Sequence, residues 1–365
     1  MRVLIYILLI SVLPLQLAAQ ATSPFAQVDQ KVLQIPAQET QTIEQLSAYI
    51  NRHFQTPQDR VRAAYMWLAN NVAYDVASLN GNMLLRKGQN FIDQTLRTRK
   101  ALCQGYAEVF QELCNRAGVK AYFVGGYTKQ FGQVDYLRHA WCAAQIDGKW
   151  YLFDPTWGAG FVQANKFVKK PTEKHFMVAP SDMIQSHYPF DPLWQFSLSP
   201  IKSKEFDAGI SPATPRKPFF QFTDTLKAYE AEDDYRRLES TARRMEAHGA
   251  EHPFLAEHLQ HLKQGVEIER YNAITNTYNQ GIDLLNEFIH YKNNRLLSKK
   301  GEAEVKRILT SSVENLKSAK SQITAAQWKQ RKDITSFAKN IDLALAHALS
   351  QETFIDNYFK ASKAR

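Results

Sequence analysis

Residues 103–118 read CQGYAEVFQELCNRAG, and residues 139–154 read HAWCAAQIDGKWYLFD. In the first stretch Tyr106, Ala107, Phe110, Leu113, Cys114 and Ala117 recur at three- and four-residue spacing, which predicts an amphipathic helix from Cys103 to Ala117. Gly118 is a fitting C-terminal stop. Between the two stretches, Val119 to Thr128 is β-branched and aromatic, the composition of a strand. The second stretch holds two further strands, His139 to Ile146 and Lys149 to Asp154. Asp147-Gly148 joins them, a dipeptide that favours a two-residue hairpin turn.

A two-residue turn fixes the register. Ile146 then pairs with Lys149, and counting outward sets Trp141 opposite Asp154. His139 lies two residues further along the same sheet face, because side chains alternate with period two. Diagonal neighbours sit roughly 7–8 Å apart, within reach of long side chains. The hairpin alone therefore predicts a His139–Asp154 contact. A three-residue loop would reverse the parity. Cys103 falls at the predicted helix start, where free N–H groups and the helix dipole favour a thiolate; Arg97, Arg99 and Lys100 precede it. A thiolate there is a nucleophile, and the same N–H groups suit an oxyanion. Taken singly, such a Cys or His is more often structural. The sequence does not by itself bring Cys103 to His139.

Working outward, residues 22–45 read as a loosely structured lead-in, and 43–54 and 57–74 as helices. Residues 75–100 read as a polar loop, and 155–222 as irregular wrapping with short strands. After Pro218 the strand signals stop. Tyr271, Ile274, Tyr278, Ile282, Leu285 and Ile289 run at near-heptad spacing, and Val305, Ile308, Val313, Leu316 and Ile323 suggest a returning helix. The expected organisation is a leader at 1–21, a first domain at 22–218 and an all-helical domain of long antiparallel helices at 219–365. The stripe in that last domain is read as a bundle core, with a protein partner as the alternative.

The 365 residues carry a net charge of +9 spread over both halves, which gives no nucleic-acid reading. Arg2, an apolar run from Val3 to Leu17 and Ala19-Gln20-Ala21 predict a cleavable signal peptide, hence a secreted or periplasmic protein. No later segment has the roughly 20 apolar residues of a membrane span. Three cysteines, Cys103, Cys114 and Cys142, are too few for a disulfide scaffold, and the odd count flags a free thiol. Cys114 and Cys142 are read as buried free thiols, a bridge between them being the alternative. His248, His252, His258 and His261 with Glu257 match no zinc spacing and read as a solvated face. No metal or other cofactor is expected.

The motifs together resemble the transglutaminase-like superfamily. The matching stretches are YMWLANNVAYD from Tyr65 to Asp75, CQGYAEVF from Cys103, His139-Ala-Trp, and WYLFDPTW from Trp150 to Trp157. The stretch HYPFDPLWQ from His187 looks like the branch that includes kyphoscoliosis peptidase. The resemblance covers about residues 45–200. It implies an α+β, papain-like core with the Cys helix packed on an antiparallel sheet, here followed by the all-α region. It also implies the roles: Cys103 nucleophile, His139 base and acid, Asp154 orienter. Cys142 departs from the polar residue that often follows His-Ala-Trp in this branch. Gln104, Trp67, Trp141 and Trp157 are candidates for the oxyanion site or the cleft, with core packing as the rival reading for the tryptophans.

The chemistry these residues suit is acyl transfer on protein or peptide amide bonds. Water as acceptor makes a cysteine protease or amidase, the favoured expectation; an amine makes a cross-linking transglutaminase. A binding or scaffold protein that keeps the fold without turnover is the third reading, favoured by the large helical domain.

Overall fold

The computed structural model describes residues 23–79, 90–210, 216–326, 328 and 332–363. The leader expected at 1–21 lies outside them, as does the middle of the loop expected over 75–100. The chain divides into two compact units after Phe222.

In the first unit the helices α1 (Ala26–Val32), α2 (Ile43–His53), α3 (Pro57–Asn71), α4 (Phe91–Thr98) and α5 (Cys103–Arg116) surround one apolar core. Thr42 and Gln45 form a reciprocal capping box that starts α2, and Thr56 followed by Pro57 starts α3. Two of these helices fall where the sequence suggested irregular chain. Helix α1 is held from outside its own sequence: Val28 and Val32 enter the core, and the buried guanidinium of Arg62 grips Asp29 at 2.8 and 2.7 Å. Helix α4 starts where the Asn90 side chain accepts from Asp93 N–H, and it buries Thr95 and Leu96. Its Thr95 lies so close to α5 that a Cβ on Gly105 would sit 2.6 Å from Thr95 Oγ1 and 2.8 Å from Ala101 Cβ. The glycine of CQGY is thus a packing requirement that seats the first turn of α5.

Strands β1 (Ala73–Tyr74) and β2 (Lys100–Ala101) pair in parallel just before α5. Strands β3 (Ala121–Gln130), β4 (Gln133–Ile146), β5 (Lys149–Phe153) and β8 (His187–Pro189) form a four-stranded antiparallel sheet in the order β5-β4-β3-β8. The β4–β5 pairing joins Ile146 to Lys149 and Cys142 to Phe153, the register expected of a two-residue turn. One face of the sheet packs on α5: Ala140, Cys142, Ala144 and Phe153 share a core with Tyr106, Ala107 and Phe110, and Cys142 Sγ meets Ala107 O at 3.1 Å. Cys103, Cys114 and Cys142 are all free and buried, so no bridge joins Cys114 to Cys142. His139 and Trp141 point to the other face by strand alternation. The segment that follows β5 runs through α6 (Pro155–Ala159), which brings Trp157 to 5.6 Å from the His139 ring, the hairpin of β6 (Gly160–Gln163) and β7 (Lys166–Lys169), and α7 (Pro180–Met183), before returning as β8. Helix α8 (Ser203–Asp207) follows.

The second unit is helical: α9 (Phe222–Ala231), which begins at the division, then α10 (Asp234–His248), α11 (Pro253–Asn293), α12 (Leu297–Lys300), α13 (Glu302–Ala325) and α14 (Lys332–Lys363). Leu285 and Phe288 of α11 meet Val305, Ile308 and Leu309 of α13, while Ile274 meets Ala319, so these helices run antiparallel. They approach closely at Gly281, whose carbonyl accepts from Ser312 Oγ at 2.7 Å and where a Cβ would lie 2.8 Å from Leu316. Tyr271, Tyr278 and Ile282 of the near-heptad stripe pack against the same cores. Among the described residues no helix is long and apolar enough to cross a membrane. The α+β core with its Cys helix on an antiparallel sheet, followed by helices, is the fold class the resemblance implied.

Gly126 tests the sheet packing. A Cβ there would lie 2.1 Å from the Tyr188 carbonyl oxygen and 2.4 Å from Trp141 Cη2, and neither a strand backbone nor a buried indole can give way cheaply. Gly126→Ala is expected to lower unfolding free energy by about 1–3 kcal/mol, read from urea midpoints. An unchanged midpoint would contradict this packing.

Candidate active site

Asp154 is the residue on which the site is built. It ends β5 and caps α6: Oδ1 accepts from the Thr156 and Trp157 N–H groups at 2.9 and 3.1 Å. Its other oxygen, Oδ2, accepts from His139 Nε2 at 2.7 Å and from His187 Nε2 at 3.1 Å. The carboxylate is fully buried, with these four donors around it. Burial alone would favour the neutral acid. The charge and hydrogen bond of His139, then those of His187, reverse this and hold the carboxyl far below its ordinary range.

His139 is the opposite case. Burial disfavours the imidazolium, but Asp154, followed by the hydrogen bond and charge of Cys103, outweighs it; the pKa rises to about 10. With Nε2 committed to Asp154, Nδ1 is the nitrogen left for Cys103. Cys103 is the first residue of α5, and Leu102 at its N-cap contributes no side-chain bond. Tyr106 N–H donates to Leu102 O at 3.3 Å, so the helix ladder begins at the turn that carries Cys103, and the positive end of the α5 dipole lies at the sulfur. Sulfur, imidazole and carboxylate therefore come together in the chain order Cys, His, Asp. Cys103 is only 1% exposed, so a large substrate reaches the sulfur only when side chains over it move.

The other sequence candidates occupy different places. Gln104 Nε2 donates to Glu108 Oε1 at 2.8 Å, along its own helix. Trp67 is buried in the apolar core with the Arg99 guanidinium 4.9 Å above its ring, a packing position. Trp141 is fully buried, its ring 6.2 Å from His139, and its Nε1 finds no hydrogen-bond partner among the described residues. Trp157 is half-buried, with its ring 5.6 Å from His139.

Three residues near the triad were given no role from sequence. Tyr74 pairs with Ala101, two residues before Cys103; burial, then the charge at Cys103 and at Asp154, push its hydroxyl up so that it stays protonated. His187 is buried on the far side of Asp154, its ring 4.6 Å from Trp157 and 5.1 Å from Trp141. Burial, partly offset by Asp154, lowers its pKa to about 4, so the ring is neutral. His175 joins them, 5.9 Å from His187, lowered first by burial. The signals were present: Tyr74 and His187 both lie in the stretches that carry the family resemblance. No local pattern gave them a partner. His139, Asp154 and His187 also place one ligand atom each within 4.8 Å of the others, the convergence an ion would need. Both Nε2 atoms already hydrogen-bond one carboxylate oxygen, and the arrangement works as a hydrogen-bond network.

The family model of the transglutaminase-like superfamily matches residues 44–155. The chain is 32% identical over 175 residues to kyphoscoliosis peptidase of Homo sapiens, covering 45% of this chain and 26% of that protein. Its identity to kyphoscoliosis peptidase of Mus musculus is 34% over 159 residues, covering 41% and 23%. The chain thus spans about a quarter of the length of these curated relatives. The solved periplasmic domain of TgpA from Pseudomonas aeruginosa is 23% identical, with 36% of this chain and 47% of that one covered and a TM-score of 0.27. The matched region, residues 44–155, holds Cys103, His139 and Asp154.

Proposed function

We propose that the chain is a thiol-dependent acyl-transfer enzyme acting on amide bonds of proteins or peptides, with water as the usual acceptor. One observation carries the proposal. A buried His139–Asp154 pair at 2.7 Å stands beside Cys103 at a helix start that no side chain caps. The proton shared by the pair rests on His139 Nδ1, and the Cys103 sulfur attacks the amide carbonyl carbon. The N–H of Cys103, at the positive end of the α5 dipole, holds the oxyanion. His139 then gives its proton to the departing amine as the C–N bond breaks, leaving a thioester on Cys103. Water, or a primary amine in a transglutaminase, attacks the thioester and loses its proton to His139; the C–S bond breaks and the sulfur is restored beside the protonated imidazole. Asp154 keeps one tautomer of His139 and supports its positive form. The leader pattern at residues 1–21 supports export to the periplasm or outside the cell.

A second reading, a scaffold that keeps the fold without turnover, is favoured by the 1% exposure of Cys103. Incubation of the mature chain with casein peptides, with and without a primary amine, separates the readings. Cleavage that Cys103→Ala abolishes supports the protease; amine incorporation supports the transglutaminase. Neither product from a folded chain contradicts acyl transfer.

The charge states set two pH dependences. His139 is the acid for the leaving amine, so the alkaline limb of kcat is expected near pH 10. Asp154→Asn should cut kcat by about 10³–10⁴ and draw that limb towards the ordinary imidazole range. A limb unmoved by the substitution would contradict the pairing.

Stability follows the same groups. Folded His187 stays neutral until about pH 4, whereas the unfolded ring takes up its proton near 6.5. Its contribution is full above 6.5 and is lost as pH falls through 4, about 3 kcal/mol in all. His139, raised, contributes fully below 6.5 and loses that contribution as pH rises through about 10. Asp154, depressed, loses its contribution only below the ordinary carboxylate range. Denaturant midpoints should therefore peak near neutrality, and a midpoint that rises on acidification from pH 6.5 to 4.5 would contradict these assignments.

A further inference from the structure

Asp154 receives one more histidine than a Cys–His–Asp relay requires. His187 is 1% exposed and enters from β8, through the pairing of Thr128 with His187. Its two nitrogens are both engaged: Nε2 with Asp154 Oδ2 at 3.1 Å, Nδ1 with Ser186 Oγ at 2.8 Å. A carboxylate oxygen only accepts, so a neutral His187 must carry its proton on Nε2. Nδ1 is then an acceptor, and the Ser186 hydroxyl must donate to it. Trp157 and Trp141 pack against the ring, at 4.6 and 5.1 Å. The groups around it are Asp154 at the start of α6, His139 on β4, His175 in the segment before α7, and Ser186. With His139 already cationic on the same oxygen, a second cation in this dry site would repel it.

We propose that His187 is a positioning residue for the Cys103–His139–Asp154 reaction. Held neutral and Nε2-protonated by Ser186, it donates a second hydrogen bond to Asp154 Oδ2 and so fixes the carboxylate that orients His139. The two backbone bonds on Oδ1 hold one end of the carboxylate, and His187 holds the other. Without it Oδ2 has one partner and can rotate with His139, loosening the imidazole from the sulfur. The inference rests on the acyl-transfer reading for its catalytic consequence, and on geometry alone for the tautomer.

Two measurements on the full chain test it. The first compares His187→Leu, His187→Gln and the native chain on p-nitrophenyl acetate, a small activated ester whose nitrophenolate reports acylation of Cys103. His187→Leu is expected to lower kcat by about 10–100-fold with KM nearly unchanged. His187→Gln, whose amide N–H can reach Oδ2, should recover most of the loss; each variant is compared after circular dichroism shows it folded. A His187→Leu chain as fast as native, or a Gln variant no better than Leu, overturns the proposal. The second measurement is the ¹⁵N imidazole spectrum at pH 7. A neutral ring protonated at Nε2 is expected for His187, becoming a tautomer mixture in Ser186→Ala; an imidazolium or an Nδ1-protonated ring overturns the proposal whether or not the chain turns over. A native chain with the expected spectrum but no acylation of Cys103 would sink the acyl-transfer reading alone.

Discussion

The buried carboxylate of Asp154 is the constraint from which the site follows. A charge with no solvent around it is tolerable only when hydrogen-bond donors replace water. Four donors do so here: two N–H groups at the start of α6 and two imidazole Nε2 atoms. Each donor ties down a different piece of chain. The N–H groups fix the turn out of β5, His139 fixes β4, and His187 brings β8 onto the edge of the sheet. One side chain thus ties these segments together at one end of the sheet and sets the charge of the imidazole that faces Cys103.

The other half of the site is steric. Helix α5 must place its first turn beside β4, and it does so through small residues at close approaches. Gly105 admits Thr95 and Ala101; Ala107 admits the Cys142 sulfur. Cys142 therefore serves the helix–sheet contact on the face away from His139. The same device recurs in the helical unit, where Gly281 lets α11 and α13 approach.

Much of this was legible in the sequence because it was local. Asp147-Gly148 set the hairpin register, and the register set His139 beside Asp154. The spacing of Tyr106, Phe110 and Leu113 gave the helix, and the stripe from Tyr271 to Ile289 gave the helical region. What escaped was held by distant partners. Helix α1 depends on Arg62, more than thirty residues away in sequence, and α4 on its fit against Gly105. His187 reaches Asp154 across thirty-three positions, through a strand of three residues that has no pattern of its own. The oxyanion candidates show the same limit. Trp67 and Gln104 lie close to the motifs in sequence, yet their side chains are committed to the core and to Glu108.

Acylation of Cys103 ties these parts to chemistry. Intact-mass analysis of the native chain quenched in acid after mixing with p-nitrophenyl acetate should show one added acetyl group. That group should map to the peptide holding Cys103, be released by hydroxylamine as a thioester is, and be absent from His139→Ala. A native chain that stays unmodified, or an adduct that forms equally without His139, would contradict a working thiol–imidazole pair.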